Sequence, residues 1–295
     1  MKTIILFIVL LFTLSSCIKN NPEPSWIQID EWQLLENPNN QVGLTGVLTE
    51  NISDAWVYVN GETIGVFELP VKLPLLVSGD AKIQIFPAVK NNGISATKKI
   101  YPFLEPYVIN TNLVQSEVFD IAPTTMYFTG VKFNFENFQG PNNVVVDGPS
   151  SLASSGKTND PAILDPVVNE GEFLKIQLNT TNNIWIASTT FNLGNLNMPL
   201  PKGKEVYLEL DYYNTNRVTS GLIGISVNGS TDNPNVQLNP QKDSEVRWKK
   251  IYIDLREVVS GMVDADYFEF TFQGQLDDGA SSGVICLDNI KAVYF

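Results

Sequence analysis

Residues 206–213 read VYLELDYY, and they decide the fold class because apolar and polar side chains alternate along them with a period of two. Such alternation is typical of a β-strand that buries one face. One row consists of Val206, Leu208, Leu210 and Tyr212, and the other consists of Tyr207, Glu209, Asp211 and Tyr213. We expect the first row to face a core and the second row to point away from it.

The same period recurs along most of the chain. In WKKIYIDL (248–255) this period predicts that Tyr252 points outward. In YFEFTFQ (267–273) it predicts that the three phenylalanines point inward and that Glu269, Thr271 and Gln273 point outward. The best helical window, 257–267, contains Gly261 and has a weak 3.6-residue period. Runs rich in Gly, Pro and Asn separate the alternating segments, so we predict an all-β protein.

The alternating segments form two groups. The first predicts a small β-sandwich over 26–107, with strands at 42–48, 55–59, 63–67, 81–88 and 95–101 and a tight hairpin at Asn60-Gly61. The period weakens over 108–130, which we predict to be a linker. Eight segments in 131–295 predict a jelly-roll β-sandwich. A polar stretch, 139–171, interrupts this second domain and predicts a functional or disordered loop.

The N-terminus carries an export pattern. Lys2 precedes the apolar run 4–14, which is too short to cross a bilayer, and Leu14-Ser15-Ser16-Cys17 follows it. These four residues resemble the bacterial lipobox, which implies that Cys17 is acylated after removal of a signal peptide, 1–16. Residues 17–25 then form a tether to the outer membrane. The alternative is an unmodified cysteine after an ordinary cleavage site. The overall character resembles Bacteroidetes lipoproteins, but Lys19-Asn20-Asn21 departs from their usual acidic stretch and leaves the membrane face open.

Composition excludes several classes of function. The formal net charge of −13 disfavours nucleic acid as a partner. The chain has no histidine, which removes histidine-activated nucleophiles and histidine-ligated zinc. Of its two cysteines, acylation would use Cys17 and leave Cys286 without a disulfide partner in the chain. We expect Cys286, in an apolar run, to be buried.

Two sets of segments resemble known families. VYVNGETIG (57–65) and SGDAKIQIFPAV (78–89) resemble small Ig-like domains of PEGA type. FNFENF (133–138), WKKIYIDL (248–255) and ICLDNIKAVYF (285–295) resemble β-sandwich carbohydrate-binding modules with a galactose-binding-like jelly roll. The second resemblance implies a glycan partner. It also implies a structural Ca²⁺ held by Glu136 and Asp288, for which an ordinary pair of strand-end carboxylates is the alternative.

The outward rows supply the candidate ligand-binding residues. If their strands share a sheet, these rows form a surface of rings, carboxylates and amides, on which sugars stack and form hydrogen bonds. Trp185 joins them because it alternates out of phase with Ile184 and Ile186, which we expect to face inward. The candidates are Trp185, Tyr207, Glu209, Asp211, Tyr213 and Tyr252. The alternatives are an ordinary solvated sheet face, or a face covered by the long loop or by a partner.

The sequence lacks a complete set of catalytic residues. Glu209 and Asp211 resemble part of the ExDxxE strand signature of laminarinase-like hydrolases, but Tyr213 and Asn214 stand where the third carboxylate would fall. We therefore predict a non-catalytic lipoprotein. Either its jelly roll binds glycan, or the protein is an accessory subunit of an outer-membrane complex for protein assembly, secretion or nutrient import.

Overall fold

The computed structural model describes residues 23–40, 45–141, 144–190, 198–242 and 244–295. These residues form two successive β-sandwiches, which confirms the all-β class. Within the described ranges, no helix has the length and apolar character needed to cross a membrane. The predicted signal peptide and Cys17 lie outside the described residues.

The first sandwich contains ten strands, of which two have only two residues each. Their bounds are Ser25–Ile29 (β1), Gln33–Leu34 (β2), Asp54–Val59 (β3), Glu62–Glu68 (β4), Val71–Leu75 (β5), Gly79–Lys90 (β6), Lys98–Ile100 (β7), Tyr107–Leu113 (β8), Val118–Ile121 (β9) and Thr124–Thr125 (β10). One sheet has the order β4-β3-β6-β7, with β8 also paired to β6, a second has the order β5-β1-β9, and β2 and β10 form a short parallel pair. Asn60 and Gly61 both have positive φ at the predicted hairpin, as such a turn requires.

Two predictions for this half are wrong. Residues 108–130 are not a linker, because β8 pairs with β6 and β9 pairs in parallel with β1, so both strands belong to the first sandwich. No strand forms over residues 45–48, while 41–44 are not described. Val47 instead contacts the second sandwich, where its carbonyl oxygen accepts a hydrogen bond from Lys291.

The second sandwich is built from eleven strands and one short helix. The strands are Lys132–Glu136 (β11), Val145–Asp147 (β12), Ser155–Thr158 (β13), Phe173–Asn179 (β14), Ile184–Thr189 (β15), Val206–Asn214 (β16), Val218–Ser226 (β17), Gly229–Leu238 (β18), Lys249–Asp254 (β19), Tyr267–Gln275 (β20) and Ser282–Tyr294 (β21). The helix is Arg256–Gly261 (α1). It falls near the weak helical window, where Gly261 is its last residue.

Two antiparallel sheets enclose the core of the second sandwich. The six-stranded sheet has the order β13-β14-β21-β16-β19, with β11 also paired to β21, and the five-stranded sheet has the order β12-β15-β20-β17-β18. The predicted inward residues lie in the core between them, including Leu208, Leu210 and all three phenylalanines of β20. The jelly-roll prediction is therefore confirmed, although β16 and β20 lie in different sheets.

Two parts of the predicted long loop are strands. β12 and β13 lie at the edges of the two sheets, and the remainder between β13 and β14, residues 159–172, packs against the six-stranded sheet. We call residues 159–172 the covering loop. Its packing decides which sheet face of the second sandwich stays open.

Candidate functional site

The outer face of the six-stranded sheet is covered along most of its width. Tyr207, Tyr252 and Val293 on this face belong to the hydrophobic core of the first sandwich. Farther along the same face, Ile163, Leu164 and Val168 of the covering loop pack on a cluster formed by Phe173, Trp248 and Cys286. The prediction of an open face for these outward rows is therefore wrong, and the alternative of coverage by the long loop holds for part of it.

Trp185 lies inside the second sandwich and not on a face. Its side chain is 0% exposed, stacks on Phe272 with ring centroids 6.3 Å apart, and donates from Nε1 to Asp147 Oδ1 at 2.8 Å. It shares a row with Ala187 and Thr189, which are both buried, whereas Ile184 and Ile186 are partly exposed. The sequence placed the two isoleucines inward because they are more apolar. The indole is larger, and its N–H finds an acceptor at the edge of the core.

Tyr207 and Tyr252 are outward from their own sandwich, as predicted, but they are buried under the first sandwich. The ring of Tyr101 lies 5.1 Å from that of Tyr207 and 4.9 Å from that of Tyr252. The Tyr252 hydroxyl accepts a hydrogen bond from the Asn51 backbone N–H at 3.2 Å. These rings hold the two sandwiches together, so they do not form an open surface for a sugar.

Glu209 is the centre of a buried polar network at this junction. Its side chain is 0% exposed, and Oε1 accepts hydrogen bonds from the hydroxyls of Tyr101 and Tyr127, each at 2.7 Å. Lys250 Nζ lies 2.8 Å from Oε2. Burial alone would favour the neutral acid, but the ammonium groups of Lys250 and Lys291 outweigh it and lower the pKa of Glu209. Glu209 is therefore a buried anion whose oxygens are used by the protein.

Asp211 continues the network toward the edge of the junction. Its Oδ2 accepts hydrogen bonds from Thr49 Oγ1 at 2.5 Å and from Asn289 Nδ2 at 2.9 Å. Lys291 donates to the Val47 carbonyl oxygen at 2.6 Å, and burial lowers its pKa to about 8. Two acids and two lysines are thus enclosed between the sandwiches with partners from both of them.

Tyr213 is the one predicted binding residue that remains half-exposed. Its ring centroid lies 6.1 Å from that of Trp248, whose Nε1 donates to the Ile163 carbonyl oxygen at 2.8 Å. Beneath them Cys286 is 0% exposed, as expected, and burial raises the pKa of its thiol to about 12. The covering loop therefore uses Trp248 and Tyr213 as packing partners.

Glu136 and Asp288 do not fit one shared Ca²⁺. Glu136 is paired with Ile290, a residue of the sandwich core, while Asp288 is paired with Asp211 on the opposite face of the sheet. Backbone N–H groups of Phe138 and Val144 donate to Glu136, at 2.6 and 3.0 Å. Asn169 donates to Asp288 at 2.6 Å, and burial raises the pKa of Asp288 to about 7. Ca²⁺ needs six to eight oxygens directed at one point, which these two carboxylates do not provide.

The outer face of the five-stranded sheet carries an open groove. Its volume is about 380 Å³, and we call it the outer-sheet groove; it is lined by Arg217, Thr219, Gln237, Gln273, Gln275, Leu276 and Asp278. Residues Ile186, Gln273, Thr219 and Gln237 stand opposite one another on four successive strands. Because directly paired residues point to the same face, they form a row across the sheet.

The groove is polar, and the protein uses only some of its hydrogen-bonding groups: Gln237 Nε2 donates to Asn239 Oδ1 at 2.9 Å. Gln273 and Gln275 are exposed, and their side-chain amides have no hydrogen-bond partner among the described residues. Arg217 is positioned by Asp277, which accepts from its guanidinium at 2.5 Å. Sequence alternation had placed Gln273 outward. It missed Gln237 because β18, with six exposed residues in succession, has no apolar period.

Comparisons with known proteins gave structural similarities only. No family model and no curated protein sequence matches the chain. A family 11 carbohydrate-binding module of the cellulase Lic26A-Cel5E of Clostridium thermocellum shares 17% identity, with a TM-score of 0.36 over 57% of this chain and 97% of that chain. A structure described as a carbohydrate-binding module of the β-sandwich superfamily shares 13% identity, with a TM-score of 0.36 over 80% and 83% of the two chains.

The structural similarities also include an enzyme domain. The enzymatically active domain of tailspike protein 4 of bacteriophage CBA120 shares 9% identity, with a TM-score of 0.33. The match covers 56% of this chain but only 19% of the tailspike chain.

Proposed function

We propose that this protein is a non-catalytic binding protein whose jelly roll holds a glycan in the outer-sheet groove. The observation that carries this proposal is the row of polar side chains across β20, β17 and β18, in which the exposed amides of Gln273 and Gln275 have no partner among the described residues. A sugar hydroxyl both donates and accepts hydrogen bonds, and a glutamine amide also does both. Gln273, Gln275 and Thr219 therefore match a polyhydroxylated chain better than they match an apolar or a highly charged ligand.

Removing the free amides should weaken glycan binding without unfolding the protein. In the double variant Gln273→Ala/Gln275→Ala we expect a loss of about 1–3 kcal/mol of binding free energy, as for two net hydrogen bonds. Both residues are exposed, so thermal stability should change by less than about 0.5 kcal/mol. Affinity electrophoresis in a panel of polysaccharides, followed by titration calorimetry with the retained one, measures both effects.

Gln177→Ala is the matched control, because Gln177 is also an exposed strand glutamine but lies on the six-stranded sheet. It should leave retention unchanged. If the wild-type protein is retained by no polysaccharide and instead copurifies in stoichiometric amount with an outer-membrane barrel protein, the glycan proposal fails. The accessory-subunit function then replaces it.

The proposed location is the outer membrane, through acylated Cys17. The support is the sequence 14–17, LSSC, directly after an eleven-residue apolar run. Since the thiol carries the lipid, Cys17→Ala should move the protein from the membrane fraction to the soluble fraction and abolish metabolic labelling with a fatty acid. Cys286→Ala is the control and should keep the label. Labelling of the Cys17→Ala protein at the wild-type level would refute this anchoring.

A further inference from the structure

A second cleft lies where the two sandwiches and the covering loop meet. Its volume is about 350 Å³, and we call it the junction cleft. The first sandwich contributes Trp32, Leu34 and Leu48 to its walls, the covering loop contributes Val168, and the second sandwich contributes Trp248. Asp211 and Lys250 lie at its base. The cleft is on the opposite side of the jelly roll from the outer-sheet groove, and it requires all three parts of the chain.

The walls of the junction cleft are partly apolar, with two tryptophans among residues that also include Gln33, Thr49 and Glu50. The indole N–H of Trp32 is used by the Asp54 carbonyl oxygen at 3.1 Å, and that of Trp248 is used by the Ile163 carbonyl oxygen at 2.8 Å. Trp32 is 4% exposed and Trp248 is 9% exposed, so each presents a small carbon surface to the cleft. Such surface favours the C–H face of a ring.

The base of the cleft holds a hydrogen-bond acceptor that the protein leaves free. Asp211 is only 1% exposed, and both hydrogen bonds that it accepts from the described residues go to Oδ2. Oδ1 has no partner among those residues, and it is not among the atoms sealed from solvent. A buried carboxylate oxygen without a donor is costly unless water or a ligand supplies one. The cleft therefore offers one acceptor at its base to a ligand's donor group.

The charges around this oxygen select the kind of donor. Lys250 Nζ lies 3.0 Å from Thr49 Oγ1, the hydroxyl that donates to Asp211, and Lys249 is exposed beside the cleft. Glu50 also lines the cleft, and Glu209 pairs with Lys250, so the surrounding charges are of both signs and favour a neutral donor over a charged one. A ligand hydroxyl donates to the carboxylate without adding charge, and it can also accept a hydrogen bond from Lys250.

From these observations we infer that the junction cleft binds a single neutral hydroxylated ring, as a free sugar or at the end of a glycan chain. Its hydroxyl donates to Asp211 Oδ1, and its C–H face lies against Trp248 or Trp32. The volume of about 350 Å³ is near the lower end of small-molecule sites, which begin at about 300 Å³, and is sufficient for one sugar ring. This is a second site, separate from the proposed groove.

The test uses the mature chain and a panel of free glucose, galactose, mannose and N-acetylglucosamine, with binding followed by titration calorimetry. At least one sugar should bind, and Asp211→Asn, which presents an amide N–H₂ to the ligand's donor, should weaken it by at least roughly tenfold. Val167→Trp should weaken it similarly by filling the mouth, where Val167 is 78% exposed. Val227→Trp, at a valine 91% exposed in the hairpin between β17 and β18, is the control and should bind as the wild type does.

Because Val167 is exposed, its variant keeps the test valid even if Asp211→Asn fails to fold. Binding of no sugar in the panel, or unchanged binding in the Val167→Trp variant, would overturn the inference. If Gln273→Ala/Gln275→Ala abolishes sugar binding while Val167→Trp does not, the ring occupies the groove, and the glycan proposal stands without this site. Competition by an oligosaccharide ending in the bound sugar assigns the ring to a chain end. Lack of competition assigns it to a free sugar, and both results support the cleft.

Discussion

Lys250→Met is expected to lower the free energy of unfolding by about 3–5 kcal/mol, because it leaves a buried carboxylate without its cation. Lys250 and Glu209 have side-chain exposures of 2% and 0%, and their charged atoms lie 2.8 Å apart. The acidic partner would keep its two tyrosine hydrogen bonds but lose its nearest positive charge. Chemical denaturation at neutral pH measures the effect.

Two further variants make this first prediction specific. Lys249→Met alters the preceding lysine of the same strand, which is exposed, and should change stability by less than about 0.5 kcal/mol. Adding Glu209→Gln to Lys250→Met should restore part of the loss, since the unpaired charge is then removed. Equal effects of Lys249→Met and Lys250→Met would contradict the buried junction.

Trp185→Ala should destabilise the protein by about 3–5 kcal/mol, the usual cost of truncating a large core aromatic. The side chain is 0% exposed and its stacking on Phe272 would be lost, together with the hydrogen bond to Asp147. Trp26→Ala, at a partly exposed tryptophan of β1, should cost clearly less. If the Trp185→Ala protein melts like the wild type and has lost glycan retention, Trp185 lies on a binding face and the core placement is wrong.

Alternation in the sequence was sufficient to identify the rows, but it could not identify what covers them. Leu208 and Leu210 are in the sandwich core, and Tyr207 and Glu209 point away from it, as their positions in VYLELDYY predict. Period two separates two faces of one strand, and burial of the second face depends on contacts with distant residues. Tyr101 and Tyr127, which bond to Glu209, are 108 and 82 positions away in sequence.

The outward rows carry charges of both signs, which is a sequence signal of a buried junction. Glu209, Lys250 and Lys291 lie at outward positions of three neighbouring strands, and Lys291 stands opposite Glu209 in register. Charges of both signs beside tyrosines are also common on solvated sheet faces, so this pattern alone does not distinguish exposure from an internal interface. Whether the face is exposed or buried depends on the register between strands, which no single segment of the sequence determines.

The sequence did not predict several strands because they are short or polar. β12, β13 and β18 are short or polar edge strands, so one of their sides lacks a neighbour and apolar alternation is weak. β8 reads YVINTNL, and its residues alternate between exposed and partly buried positions until Leu113. Polar edge strands discourage pairing with other chains, which explains why their composition is typical of loops.

We propose that the free binding surface lies on the five-stranded sheet, whereas the first sandwich and the covering loop close the rows around β16. Nuclear magnetic resonance of the side-chain N–H groups tests it most directly, with the oligosaccharide that the protein retains. We predict that the amide signals of Gln237, Gln273 and Gln275 shift on titration, while the indole signal of Trp185 does not. A shift of the Trp185 indole signal with no change at the three glutamines would contradict this location of the binding surface.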